Sequence, residues 1–201
     1  MDLLRARREL RRVQHGARLV RRKREALVAE LFRSARPALD LRDRIGTAVT
    51  AAVRALLDAM AVHGRAGLAA MSRPARDVPL ELRPAVVWGI AVSEVERKEP
   101  LSRTLEARGT FPALAGPSAA AAATRFEKLA ELLVEAAPRE QRVQRLGDAV
   151  NRATRQMRTL EQRVAPDLSR QINLVRRQLD EREREDRARL KRFQRPGSPR
   201  T

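Results

Sequence analysis

Leu3, Ala6, Leu10, Val13, Ala17, Val20, Arg24, Leu27, Leu31, Ser34, Ala38, Leu41, Ile45, Ala48, Ala52, Ala55, Ala59 and Val62 follow one another at alternating steps of three and four. Only Arg24 and Ser34 interrupt this series with a polar side chain. Steps of three and four place every member on one stripe of an α-helix, and so long a stripe is the seam of a coiled coil rather than one face of a globular helix. A second seam, Val143, Leu146, Val150, Ala153, Met157, Leu160 and Val164, runs near the other end. The fold expected is mainly α: a long antiparallel two-helix coiled coil formed by the N- and C-terminal helices, with a small β-hairpin and a short helix in the middle.

Composition supports a narrow seam over a wide core. Aromatic residues are 2% of the 201 and charged residues 34%, so large apolar side chains are too few to fill a globular interior but sufficient for a line between two helices. The net charge of +18 comes almost wholly from arginine. Such a balance points to an acidic neighbour, whether nucleic acid, an anionic surface or an acidic protein wall. Basic side chains crowd the first arm (Arg5 to Arg12, then Arg18, Arg21, Arg22, Lys23 and Arg24) and the last (Arg176 to Arg192, including Arg189 and Lys191). In an antiparallel pair these two clusters are expected side by side at one tip. Phe32 and Phe193 are the only aromatics near them, which serves base stacking poorly. The chain lacks cysteine, so thiolate metal sites and thiol nucleophiles are excluded. His15 and His63 stand far apart with no metal-binding motif, and no glycine-rich phosphate cradle is present. The reading is a non-catalytic chain without a cofactor or metal. The longest uncharged run, Gly109 to Thr124, is broken by Pro112 and Pro117, so no membrane insertion is expected.

Taken in order, residues 1–72 form the N-terminal coiled-coil arm, 73–117 a middle hairpin and loop, 118–194 the C-terminal arm, and 195–201 a disordered tail. Pro37 predicts a kink in the first arm. Beyond Ile45 the apolar stripe widens to take in Val49, Val53, Leu56, Leu57 and Met60, as a helix meeting more than one partner would. The run His63-Gly64-Arg65-Ala66-Gly67 weakens the helix and Arg73-Pro74 ends it. The alternation Val78, Leu80, Leu82 and the β-branched run from Ala85 to Val92 predict the two hairpin strands, with Arg83-Pro84 near the turn. Gly109, Pro112, Gly116 and Pro117 read as a loop, and Ser118 as the N-cap of the second arm. Phe126, Leu129, Ala130, Leu133 and Ala137 predict that arm's apolar face, and Pro138 an interruption. Near Pro166, Leu160, Val164, Leu168 and Ile172 are spaced by fours, a stutter that locally unwinds a supercoil.

Four stretches carry a resemblance to a known family. They are Val13-Gln14-His15-Gly16-Ala17-Arg18-Leu19-Val20-Arg21-Arg22-Lys23-Arg24-Glu25-Ala26-Leu27-Val28; Trp88-Gly89-Ile90-Ala91-Val92; Ser118 through Ala136; and Leu160-Glu161, Pro166-Asp167-Leu168, Leu179 through Glu185 and Arg189-Leu190-Lys191-Arg192. In this order and spacing they resemble the D subunit of the V-type and A-type rotary ATPases, the central-stalk axle. The resemblance implies a rotor shaft that couples ATP synthesis or hydrolysis to rotation of a membrane ring and proton or sodium transport. It implies as partners a hexamer of catalytic and non-catalytic subunits A and B, the small F subunit of the stalk and a connector on the ring. It places the complex on the cytoplasmic side of the membrane. The hexamer contacts expected are Arg18, Arg21, Arg22, Lys23, Arg24, Arg189, Lys191 and Arg192. The stalk-partner contacts expected are Val49, Val53, Leu56, Met60, Trp88 and Ile90. Two rival readings remain: a basic coiled coil that binds nucleic acid, and a generic coiled-coil scaffold or homodimer.

Overall fold

A computed structural model describes residues 3–71, 80–97, 100–104, 108 and 112–193. The elements in order are helix α1 (Leu3–Met71), strands β1 (Leu80–Val87) and β2 (Ile90–Arg97), helix α2 (Pro112–Thr159), a single π-helical turn (Leu160–Val164) and helix α3 (Ala165–Phe193). The protein is thus mainly helical, with a long N-terminal and a long C-terminal helical arm and a two-stranded antiparallel hairpin between them. Two compact units divide the chain: Met1–Ala26 with Val150–Thr201, and Leu27–Ala149.

In the second unit α1 and α2 pack antiparallel. Contacts descend α2 as they ascend α1: Glu30 with Arg142, Leu41 with Leu132 and Ala136, His63 with Ser118. Leu41, Leu132 and Ala136 form a buried cluster, with Ile45 and Ala48 packed against it. In the first unit Arg21 reaches Glu161 at 2.7 Å, so the start of α1 lies along the π turn. Every predicted seam position of α1 is buried or half-buried except Val62, and the same holds for every position of the C-terminal seam. The alternating three-four period therefore located the packed stripe over residues 3–59 and 143–164.

Local geometry departs from the sequence reading at several points. Backbone dihedrals stay helical through Pro37, which is exposed, so its ring and the carbonyl it frees face water while Ala38 and Leu41 hold the helix in place. The break in α1 falls at Gly64 (φ 67°, ψ 166°), inside the run from His63 to Gly67 where weakening is expected. Arg73-Pro74 and the tail 195–201 lie outside the described residues. Residues 112–117 are not a loop. Pro112 opens α2, Gly116 (φ 60°, ψ 167°) breaks it, and Pro117 restarts it at the first helical position, where a missing N–H costs nothing. Ser118 is therefore not the N-cap. Its hydroxyl lies 3.3 Å from His63 Nε2. Over residues 118–137 of α2 the buried side chains are Ala122, Leu132 and Ala136, while Phe126, Leu133 and Ala137 are exposed. In so alanine-rich a stretch, small side chains flank both candidate faces and the period alone does not rank them.

The hairpin also shifts. Its turn is Trp88-Gly89, both at positive φ (53° and 78°), as a two-residue turn of the type I′ class requires. Pro84 sits inside β1 opposite Ser93. Val87 and Ile90 close the turn as a hydrogen-bonded pair, and such pairs alternate, so Pro84 falls at a non-hydrogen-bonded place and its missing N–H interrupts nothing. Before Pro166 the chain widens into the π turn, and the Ala165 N–H donates to the Leu160 carbonyl five residues back. That extra residue per turn relieves the clash of the Pro166 ring with the preceding turn and shifts the seam by the amount the four-residue spacing signalled. Leu168 and Ile172 are buried beyond it.

Candidate assembly surfaces

In the first unit the basic side chains cover exposed helix surface. Arg18, Arg21, Arg22 and Lys23 are exposed, and Arg24, at a seam position, is half-buried. Arg21 is held by Glu161 at 2.7 Å, a pair exposed enough to be worth little in water. Residues 179–191 of α3 are all exposed, Arg189 and Lys191 among them, and the side chain of Arg192 lies outside the described residues. The expected juxtaposition of the two basic clusters is partial: with Arg21 beside Glu161 and the helices antiparallel, Arg5 falls roughly level with Arg177, and the basic residues from Arg182 onward run on beyond it. Arg21 lies beside Glu161, and at 1.5 Å per residue Arg189 is roughly 40 Å further along the helical arm. The reason is length: the C-terminal arm continues past the point where α1 begins. Mixed charges carry this extension, with Arg184–Glu181 and Arg187–Glu183 pairs along the helix.

The second unit bears an apolar line. Val49, Val53 and Leu57, spaced by four, are 40%, 45% and 59% exposed, although they belong to the most apolar part of α1. Leu56 and Met60 beside them are half-buried. By length and composition α1 holds one stretch apolar enough to cross a membrane, little of it buried within the chain. That stretch carries Arg54 and Asp58. Trp88 is exposed at the hairpin tip and Ile90 is half-buried. Leu82 and Val86 are also exposed on the outer hairpin face. The structure does not join these into one patch. Ala48, Ala51 and Arg54 line grooves with Ala121, Arg125 and Leu132, whereas the hairpin is tied to α2 by Arg145, which donates to the Ala91 carbonyl at 2.5 Å. Arg125 and Arg145 are about 30 Å apart along α2.

Two polar constructions went unread in the sequence. Glu30 is buried, the one such charged side chain among the described residues, and accepts from Arg142 (2.6 Å) and Arg33 (2.6 Å). It joins α1 to α2 just inside the end of the second unit. Its only signal in the sequence is a place flanking the seam, one residue before Leu31. The second construction fixes the segment that returns from the hairpin. Arg108 grips Glu127 with Nε (2.9 Å) and Nη2 (2.7 Å), and also reaches Thr124 Oγ1 (3.0 Å). The Arg103 N–H donates to Glu127, and those of Leu101 and Ser102 to Glu131. Burial works to raise the Glu127 carboxyl, but hydrogen bonds from Arg108 and Arg103 and the charges of both outweigh it and hold the group below its ordinary range. The hydrogen bond to Glu127 raises Arg108 in turn, against the effect of burial.

Comparison with known proteins adds identity to this geometry. A family profile described as the ATP synthase D subunit matches residues 2–195. A protein named as the D subunit of a V-type ATP synthase, from Anaeromyxobacter dehalogenans (strain 2CP-C), is 41% identical over 179 residues, covering 89% of this chain and 85% of the relative. The protein of the same name from Thermus thermophilus is 36% identical over 197 residues, with 96% and 85% covered. A D subunit of an A-type ATP synthase, from Methanoregula boonei, is 29% identical, with 98% and 94% covered.

Proposed function

The chain belongs to the ATP synthase D-subunit family, and from that premise we propose that it is the central-stalk shaft of a membrane-associated V/A-type ATP synthase. The match over residues 2–195 carries the proposal. The chain is not itself catalytic. It stands within a hexamer of catalytic and non-catalytic subunits A and B and transmits rotation between ATP chemistry there and a ring that moves protons or sodium ions.

The physical features suit that task. A shaft must resist twisting, and two helices locked along a continuous seam do so better than one. It must also be asymmetric, so that surrounding sites occupy different states as it turns. The π turn, the two glycine breaks and the one-sided hairpin supply asymmetry. The exposed arginines of the first unit, Arg18, Arg21 and Arg22 with Lys23, and Arg189 and Lys191 on the extension, face the hexamer's inner wall. Charge contacts there can be formed and exchanged at each step. Val49, Val53 and Leu57 meet the small F subunit of the stalk. Trp88 and the outer hairpin face form a separate surface that meets the connector. The apolar stretch of α1 is covered by protein, since Arg54 and Asp58 would each be costly in lipid. The complex works on the cytoplasmic side of its membrane.

Native mass spectrometry of the chain co-expressed with the other ATPase subunits tests this. One copy per hexamer, with one small partner bound, is the expected result. A chain that stays outside the hexamer and is recovered on nucleic acid or as a homodimer would overturn it.

A further inference from the structure

Both helices of the second unit break at the same level. Gly64 interrupts α1 at φ 67°, ψ 166°, and Gly116 interrupts α2 at φ 60°, ψ 167°. These nearly equal dihedrals lie in a region open in practice only to glycine. The two breaks touch. The His63 ring lies against Gly116 so closely that a Cβ there would stand 3.2 Å from its Cε1 and Nε2, and His63 Nε2 meets the Ser118 hydroxyl at 3.3 Å. Pro117 favours the break in α2, because a residue before proline is disfavoured in the helical conformation. No such neighbour acts on Gly64, which Arg65 follows, and a Cβ at Gly64 would meet nothing. The break in α1 thus matches the one in α2, with the His63 side chain seated in the gap that glycine leaves.

From this pairing we propose that Gly64 and Gly116 form a hinge, about which the segment Arg65–Met71 and the first turn of α2 move relative to the seam. A single broken helix packed against an unbroken one stays stiff, because the partner carries the bending load. Where both are interrupted at one level, neither backbone keeps helical dihedrals through the joint, and the contact of His63 with Gly116 and Ser118 spans it. Gly46 is the internal contrast. It lies in the same helix, also in open space, but keeps helical dihedrals. In the shaft proposed above, and resting on that reading, such a joint would let the end beyond Gly64 follow its partners while the seam stays locked.

The chain has no cysteine, so spin labels can be placed cleanly. Pulsed electron-spin distances on the full isolated chain would compare Leu57→Cys with Ala70→Cys, which straddle Gly64, and Asp40→Cys with Val53→Cys, which straddle Gly46. All four positions are exposed. Each pair spans thirteen residues, about 20 Å in a straight helix. The pair across Gly64 should show a distribution about twice as wide as the pair across Gly46. Gly64→Ala should narrow it. Gly116→Ala combined with Pro117→Ala, which touches only the other helix, should narrow it too. Equal widths across the two glycines in the unsubstituted background would overturn the hinge, and that comparison does not depend on the variants folding. A width that ignores the Gly116 and Pro117 changes in a folded variant would overturn the pairing. The measurement needs no ATPase subunits, so its failure is distinct from failure to assemble.

Discussion

Replacing Arg142 with Met removes one of the two partners of the buried Glu30 carboxylate while keeping an apolar stem of similar length. The Arg142–Glu30 contact is 2.6 Å, and the Glu30 side chain is 6% exposed, so water cannot take the lost partner's place. Arg33 still holds the other carboxylate oxygen at 2.6 Å, but its own side chain is 75% exposed and its attraction is correspondingly screened. A hydrogen bond to a charged group is worth about 1.5–3 kcal/mol. Breaking a fully buried pair costs about 3–5 kcal/mol, which the exposure of the arginines reduces here. The expected loss is about 2 kcal/mol. With a urea slope of about 2 kcal/mol/M, the unfolding midpoint followed by helical circular dichroism falls by about 1 M. Glu30→Leu together with Arg142→Met should recover most of the loss, because no buried charge is then left unpaired. A drop below about 0.5 kcal/mol for Arg142→Met, or strict additivity in the double-mutant cycle, would refute the view that this pair pins the two helices in register.

Three further outcomes follow from the same geometry. Glu127 is held below its ordinary carboxylate range in the folded chain, so its contribution is full at neutral pH and fades as pH falls through that lowered value; Glu127→Gln should flatten the acid limb of a stability–pH curve and leave the difference from the parent chain largest near pH 7. Trp88 occupies a left-handed turn position that Asn tolerates far better, so Trp88→Asn should stabilise the hairpin by about 1 kcal/mol in amide exchange while weakening co-purification of the connector. Val53→Glu with Leu57→Glu changes two exposed side chains and should leave the melting temperature within about 2 °C, yet reduce retention of the small stalk partner in pull-downs at least tenfold; full retention would remove this line of α1 from the interface.

Much of the fold was written in the sequence because a coiled-coil seam is a one-dimensional signal. Each seam residue is identified by its spacing to neighbours in the same helix, and Leu27, Leu41, Ala52, Leu146 and Ala153 are buried where that spacing places them. A local irregularity before Pro166 was legible as the run of fours from Leu160 to Ile172 for the same reason, and the structure gives it the form of a π turn. Where apolar side chains occupy more than one face, as Leu129, Leu132, Leu133 and Val134 do, the period lost its contrast and the buried face was misplaced.

The candidate surfaces show the same division. The charge of the first arm and the widened stripe from Val49 to Met60 were local properties, visible residue by residue. Whether two such clusters meet depends on how the arms align. Only tertiary structure placed Arg21 beside Glu161, so that Arg189 lies far along the extension, and tied the Trp88 hairpin to Arg145 rather than to Val53. Pairings between residues over a hundred positions apart, Glu30 with Arg142 above all, leave no trace in local spacing, because a charged side chain beside a seam looks the same whether it faces water or a partner. Periodicity determined which residues pack in this protein. The antiparallel alignment of the two arms, set by shape and charge across the seam, decided which residues they pack against.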